Sequence, residues 1–103
     1  MKTEYFDLKN KRALVSGGAS GIGSSIVEHL CEQGVEVYFF DINKIEAKKT
    51  IYKIKKKKYK IPTFIECNIK NIKKYKSLIS NIIEKKGPID ILVNNASNDQ
   101  RHT

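Results

Sequence analysis

The chain has 103 residues, 40% hydrophobic and 30% charged with few prolines, which is globular rather than disordered and suits one domain burying somewhat more than ~60% of its unfolded surface. No stretch is apolar for long enough to cross a membrane, and the opening MKTEYFDLKN lacks the apolar core of a signal peptide, so a cytoplasmic location is expected. The net charge of +9 comes from lysine, with Arg12 and Arg101 the two arginines; beside heavy use of isoleucine and asparagine it is the mark of A/T-rich codons, and no nucleic-acid partner is expected from it.

Arg12 to Ser16, RALVS, is a short apolar run followed at once by glycines, as expected of a buried strand leading into a tight turn. From Gly21 to Gly34 the spacing of Ile22, Ile26, Val27, Leu30 and Cys31 predicts a helix with one buried face, stopped by Gly34. Val35 to Phe40, VEVYFF, reads as a second strand ending at Asp41. Asn43 to Lys58 is helical in period but weakly so, with Ile45, Ile51 and Ile54 expected on the inner side and a ragged end in the lysine run of residues 53 to 60.

Pro62 to Cys67, PTFIEC, is expected as a third strand, introduced by a proline that a strand tolerates at its first position. Ile72, Tyr75, Leu78, Ile79, Ile82 and Ile83 form the clearest helical stripe, stopped by KKGP, and a fourth strand from Ile89 to Asn94 follows. Cys31 and Cys67 have no paired spacing and no nearby histidine, so both are expected to be reduced core residues, with no metal site. Strands alternating with helices of this length predict parallel pairing through right-handed crossovers, an α/β layered sheet with the order βαβαβαβ.

The segment SGGASGIG, residues 16 to 23, joins the first strand to the first helix. Glycines at 17, 21 and 23 allow a sharp turn, close approach of a ligand to the backbone, and packing of helix on strand. The helix N-terminus behind them offers unpaired N–H groups and a positive dipole end that suit a pyrophosphate. Asp41 stands eighteen positions beyond Gly23, near the ~20-residue spacing at which a carboxylate meets the adenosine ribose. A carboxylate there accepts from the 2′-hydroxyl of NAD and repels the 2′-phosphate of NADP, so NAD is the expected cofactor. The alternative role for Asp41 is the N-cap of the helix that follows.

With these features in order, and with NNAS at residues 94 to 97, the sequence resembles the N-terminal part of a short-chain dehydrogenase/reductase, over nearly the whole chain from FDLKNKRALVSGGASGIG onward. The glycine motif of that family is carried by Gly17, Gly21 and Gly23, with Ser16 in its threonine position. The resemblance implies a Rossmann-type doubly wound parallel sheet with strand order 3-2-1-4, and hydride transfer between a hydroxyl-bearing carbon and nicotinamide. It implies cofactor-binding roles for Gly17, Ser20, Gly21, Ile22, Gly23, Asp41, Asn68, Ile69, Asn95 and Ala96. Asn68 and Ile69 stand where the family has an aspartate and an aliphatic residue against the adenine; the asparagine keeps a carbonyl acceptor and loses the charge. Asn94, Asn95 and Ala96 match the family motif after the fourth strand, and Ser97 replaces its glycine. The continuation SNDQRH is similar to a subgroup that oxidises free aldose sugars at the anomeric carbon.

The tyrosine, lysine and serine on which hydride transfer depends in that family lie downstream of this motif, and six residues follow Ser97 here. Two Tyr-x-x-x-Lys matches, Tyr5 with Lys9 and Tyr52 with Lys56, precede the motif and are expected to be chance matches in a lysine-rich chain. Asp99 and His102, near the chain end, are expected to be solvated rather than an acid–base pair. The expectation is therefore a single, incomplete (truncated) NAD(P)-binding domain, inactive alone and without the oligomer interface of its relatives. A non-enzymatic dinucleotide-binding module or a gene remnant is the alternative, and a lysine-rich nucleic-acid binder the third reading.

Overall fold

The computed structural model describes residues 8–95. Its elements are β1 (Arg12–Ser16), α1 (Gly21–Glu32), β2 (Glu36–Asp41), α2 (Lys44–Lys56), β3 (Thr63–Glu66), α3 (Ile72–Lys86) and β4 (Ile91–Asn94). All four strands are parallel, in the order β3-β2-β1-β4. The alternation of elements and the strand order follow the sequence expectation, and the element boundaries differ from it by one or two residues.

β1 is the centre of the sheet. Its Leu14 pairs with Tyr38 of β2 on one side and Leu92 of β4 on the other, and Ala13 to Ser16 are all buried. Successive side chains of a strand point to opposite faces, so β1 feeds two cores. Ala13 and Val15 join Val37 and Phe39 under α1 and α2, where Phe39 meets the ring of Phe64 at 5.3 Å. Leu14 joins Tyr38 and Phe40 under α3, where Phe40 meets Tyr75 edge-on at 5.2 Å. Cys31 lies in the first core and Cys67 in the second, both free thiols, with burial pushing that of Cys31 up to about 12.

At the N-terminal edge of the sheet Arg12 fixes the approach of β4. Its backbone N–H donates to the Asp90 carboxylate at 2.9 Å, and its guanidinium donates to the carbonyl of Pro88 at 3.0 Å and to Glu36 at 3.1 Å. β4 lies at the edge of the described sheet, with Leu92 exposed.

The helices carry three corrections to the apolar pattern. Ile22, expected on the inner face of α1, is 73% exposed; Val27 and Cys31 are buried as expected, with Ile26 and Leu30 packed beside them, and Gly23 and Ser24 take the place given to Ile22. Ile45 of α2 is 68% exposed; Ala47, Thr50 and Ile54 face the core. Ile72 and Ile83 lie outside the α3 contact, where Ile82 is buried and Tyr75, Leu78 and Ile79 are partly covered. The physical reason is spacing: small residues let α1 and α2 sit close to the sheet, and Ile22 and Ile45 are left on the rim.

The helix ends follow local chemistry. Asn43 and Asn71 cap α2 and α3 by accepting from the N–H of Glu46 and Lys74. α1 ends with Gly34 at φ +84°, its N–H on the carbonyl of Cys31 and that of Val35 on Leu30. α2 ends with the same paired bonds, Lys58 N–H to Lys55 and Tyr59 N–H to Ile54, but the left-handed position is occupied by Lys58 at φ +64°. A side chain there costs about 1 kcal/mol relative to glycine. The Glu28 carboxylate of α1 accepts from Lys57 and pairs with Lys53, joining the two helices.

Lys58→Gly should raise the urea midpoint by an amount equivalent to about 0.5 kcal/mol, the gain expected from relieving the left-handed conformation less the added freedom of the unfolded chain; a lower midpoint would contradict the strain. Glu28 is held below the usual carboxylate value of 4.5 chiefly by its hydrogen bond with Lys57, and Glu36 below the same value chiefly by its hydrogen bond from Tyr38. Lowered carboxylates contribute stability that is fully present above the unfolded value and lost as pH falls through the folded one. Urea denaturation of Glu28→Gln should therefore show less stability than the parent near pH 7 and a smaller drop as the pH falls below the usual carboxylate value. Parallel acid limbs would remove Glu28 from the effect.

Candidate nucleotide site

A parallel sheet places the ends of its strands on one edge, and the residues singled out in the sequence leave from that edge. Gly17 follows β1, Asp41 closes β2, Asn68 lies just past β3, and Asn95 follows β4. The register sets Ser16 beside Phe40 and Asn94, and Asp41 beside Glu66. Ala96 and Ser97 lie outside the described residues, as do Asp99 and His102.

The glycine loop is built by two distinct demands. Gly17 (φ +72°) and Gly21 (φ +60°) need the left-handed conformation, and a Cβ on Gly21 would meet nothing within 4 Å, so its requirement is conformational. Gly18 and Gly23 need room. A Cβ on Gly23 would be driven onto the carbonyl of Gly17 and lie 2.8 Å from the Asn95 amide nitrogen. One on Gly18 would lie 2.7 Å from the Cβ of Phe39 and 2.9 Å from a methyl of Val27. The sequence reading passed over Gly18; the GG doublet at 17 and 18 was its only signal.

Three side chains hold the loop from outside. Asn95 donates from its amide to the Gly17 carbonyl at 3.0 Å. Asp41, half-buried, accepts from the Ala19 N–H at 3.1 Å through one oxygen and from the Asn43 N–H at 2.9 Å through the other. Since Asn43 supplies the helix cap, the N-cap alternative for Asp41 does not hold. Thr50 donates to the Ala19 carbonyl at 2.7 Å and lies 2.8 Å from the hydroxyl of Ser24. Neither Thr50 nor Ser24 carried a sequence signal beyond its place on a helix.

α1 begins immediately behind the loop. Ser20 takes the N-cap position in an extended conformation (φ −149°) and its side chain makes no capping hydrogen bond. The first N–H groups of a helix have no acceptor within it, and its dipole is positive there. No acidic residue occupies the first turn of α1. Ile22, exposed beside this turn, offers an apolar surface next to the donors. Between Ala19–Gly21 and the α2 residues Lys49, Thr50 and Lys53 lies a depression of about 280 Å³.

The far side of the edge is less open. Asn68 is exposed, but its side-chain oxygen accepts from the Lys70 N–H at 3.0 Å, which leaves one lone pair of that oxygen for another donor. Ile69 is half-buried against the α3 core. Tyr52 and Lys56, the Tyr-x-x-x-Lys match on α2, face outward: Tyr52 is 64% exposed and the Lys56 ammonium lies 5.6 Å from its ring centre. Tyr5 lies outside the described residues. Among the described residues no group of three metal-ligating side chains comes together, and no helix is long and apolar enough to cross a membrane.

The cradle therefore fits a phosphate-bearing ligand on two observations: positions 18 and 23 have no room for a Cβ, and N–H groups with no acceptor within the helix head α1 with no acid in its first turn. The model of the short chain dehydrogenase family matches residues 11–103. Over 99 residues the chain is 32% identical to a probable galactose dehydrogenase of Rhizobium meliloti, covering 96% of this chain and 39% of that protein. Over 98 residues it is 35% identical to the D-xylose 1-dehydrogenase of Caulobacter vibrioides, covering 95% and 38%. A hydroxysteroid dehydrogenase of Escherichia coli superimposes with a TM-score of 0.77 at 28% identity, over 90% of this chain and 39% of that one. The chain thus spans about two fifths of the length of the relatives it matches, and it belongs to the short-chain dehydrogenase family.

Proposed function

We propose that these residues form the adenosine and pyrophosphate half of an NAD site, within a dehydrogenase that moves hydride between a hydroxyl-bearing carbon of a sugar and nicotinamide. Gly17, Gly21 and Gly23 shape the phosphate cradle, and the N–H groups at Ser20 to Gly23 supply its donors, with Ile22 covering them. Asp41 receives the ribose hydroxyls; Asn68 and Ile69 border the adenine; Asn95 and Ala96 form the wall beyond β4. The sugar assignment draws on the two aldose dehydrogenases among the relatives and on SNDQRH after Asn95.

The observation that carries this reading is the placement of Asp41. Each of its oxygens accepts one backbone N–H, and a carboxylate has about four lone-pair sites, so the group is fixed in orientation with capacity left for ribose hydroxyls. A fixed negative charge beside that ribose favours a 2′-hydroxyl over a 2′-phosphate. The 103 residues contain no tyrosine–lysine pair at this edge among those described, and hydride transfer is assigned to the longer dehydrogenase rather than to this portion of it.

NAD at ~100 times its dissociation constant should stabilise the chain by about 2.7 kcal/mol against urea, while NAD with an alcohol or aldose should give no nucleotide reduction above blank. No stabilisation of a folded protein would sink the binding assignment, and turnover well above blank would sink the division of labour. Asp41→Asn keeps an acceptor oxygen and removes the charge, so the ratio of NAD to NADP affinity should fall by about tenfold, the equivalent of 1.4 kcal/mol. An unchanged ratio would take the discrimination away from Asp41.

A further inference from the structure

We infer that Thr50, on the inner face of α2, is a positioning residue for the nucleotide loop: its hydroxyl sets the orientation of the Ala19–Ser20 peptide and thereby the affinity for the dinucleotide. The inference rests on the proposed NAD site and goes beyond it, since Thr50 is separated from the loop by thirty-one residues in sequence.

Thr50 is 3% exposed, and its hydroxyl has one proton to give. That proton goes to the Ala19 carbonyl at 2.7 Å, so the 2.8 Å contact with Ser24 must run the other way, with Ser24 donating to Thr50. Ser24 also sends its backbone N–H to the Ser20 carbonyl at 3.3 Å. A buried chain of bonds therefore runs from α1 through α2 to the loop, each hydroxyl serving as both donor and acceptor or as a single donor.

Ala19, 1% exposed, is pinned twice. Its N–H is held by Asp41 and its C=O by Thr50, which fixes the planes of the two peptide units that meet at this residue. In a trans peptide the C=O and the following N–H point in opposite directions, and the described chain has no cis bond. Holding the Ala19 carbonyl on Thr50 therefore directs the Ser20 N–H away from α2. Ser20 has no side-chain cap of its own to do this. If the loop were free to rotate this peptide, the ligand would have to order it on binding and would bind more weakly for that reason.

The test uses the 103-residue chain and NAD as the probe. Thr50→Val keeps the shape and removes the hydroxyl; Thr50→Ser restores the hydroxyl with one methyl fewer; Ile54→Val disturbs the same buried face of α2 one turn on without touching the loop. Thr50→Val should weaken NAD by about tenfold, Thr50→Ser should return it to within about twofold of the parent, and Ile54→Val should leave it unchanged despite lower stability. In the nucleotide-free chain, hydrogen exchange at the Ala19 and Ser20 amides should accelerate in Thr50→Val and not in Ile54→Val. Parent-like NAD affinity in Thr50→Val, equal loss in Ile54→Val, or no rescue by serine would overturn the assignment. If the parent chain fails to bind NAD, the nucleotide reading falls and amide exchange alone decides the role of Thr50: unaltered exchange rejects it. Should Thr50→Val fail to fold, Ser24→Ala takes its place, with an affinity loss of about threefold expected and parent-like affinity counting against the relay.

Discussion

The burial of β1 on every side is the constraint on which the rest depends. A strand paired along both edges and covered on both faces can leave the sheet only by turning sharply at its end. Phe39 and Val27 close off the space at Gly18, and the Gly17 carbonyl and the Asn95 amide close it off at Gly23. The chain can pass only as bare backbone, and bare backbone in a tight turn before a helix presents N–H groups to solvent. The proposed anion cradle is thus the consequence of packing a helix tightly over a fully buried strand. No side chain of the loop is needed to make it.

Much of this was legible in the sequence, because the signals were local. Strands of β-branched and aromatic residues, the glycine loop, and Gly34 and Gly87 at helix ends each constrain their own few residues, and each stands where its chemistry puts it. The inner faces of the helices were less legible. Isoleucine is abundant throughout the chain, so a stripe of isoleucines at helical spacing could be drawn on more than one face, and Ile22 and Ile45 were assigned inward when they point out. The residues that do face the core of α2 include Ala47 and Thr50, which a hydrophobic count discounts. Thr50 was invisible for a further reason: its partners, Ala19 and Ser24, are close only after β2 has paired with β1 and brought α2 alongside α1.

The charge also has a structure that composition hides. α1 contains no lysine, whereas α2 has lysines at 44, 48, 49, 53, 55 and 56 and α3 at 73, 74, 76, 85 and 86. Lys53 and Lys57 are drawn toward Glu28, so part of the excess joins helices instead of facing solvent alone. Lys49 and Lys53 line the depression beside Ala19–Gly21, where positive charge favours approach of an anionic ligand and is screened within about 10 Å at 0.1 M salt. Such a field discriminates poorly, because it attracts NADP more than NAD. Selectivity must come from a negative group at close range, and in the proposed site that group is Asp41.

Asp41 therefore serves two functions that cannot be separated by simple deletion. As an acceptor for Ala19 and Asn43 it joins the glycine loop to the start of α2; in the proposed NAD site its charge is the group that selects the ribose. Removing the whole side chain would release the Ala19 peptide and the charge together, and a loss of binding would not say which mattered. An asparagine keeps one acceptor and no charge, so it changes selectivity with a smaller change in loop geometry. Thr50 offers the complementary handle, because it reaches the same peptide from the opposite side and carries no charge. A loop held by Asp41 at its N–H and Thr50 at its C=O joins β2, α2 and α1 at one residue, so selectivity for the ribose and rigidity of the phosphate cradle meet at Ala19.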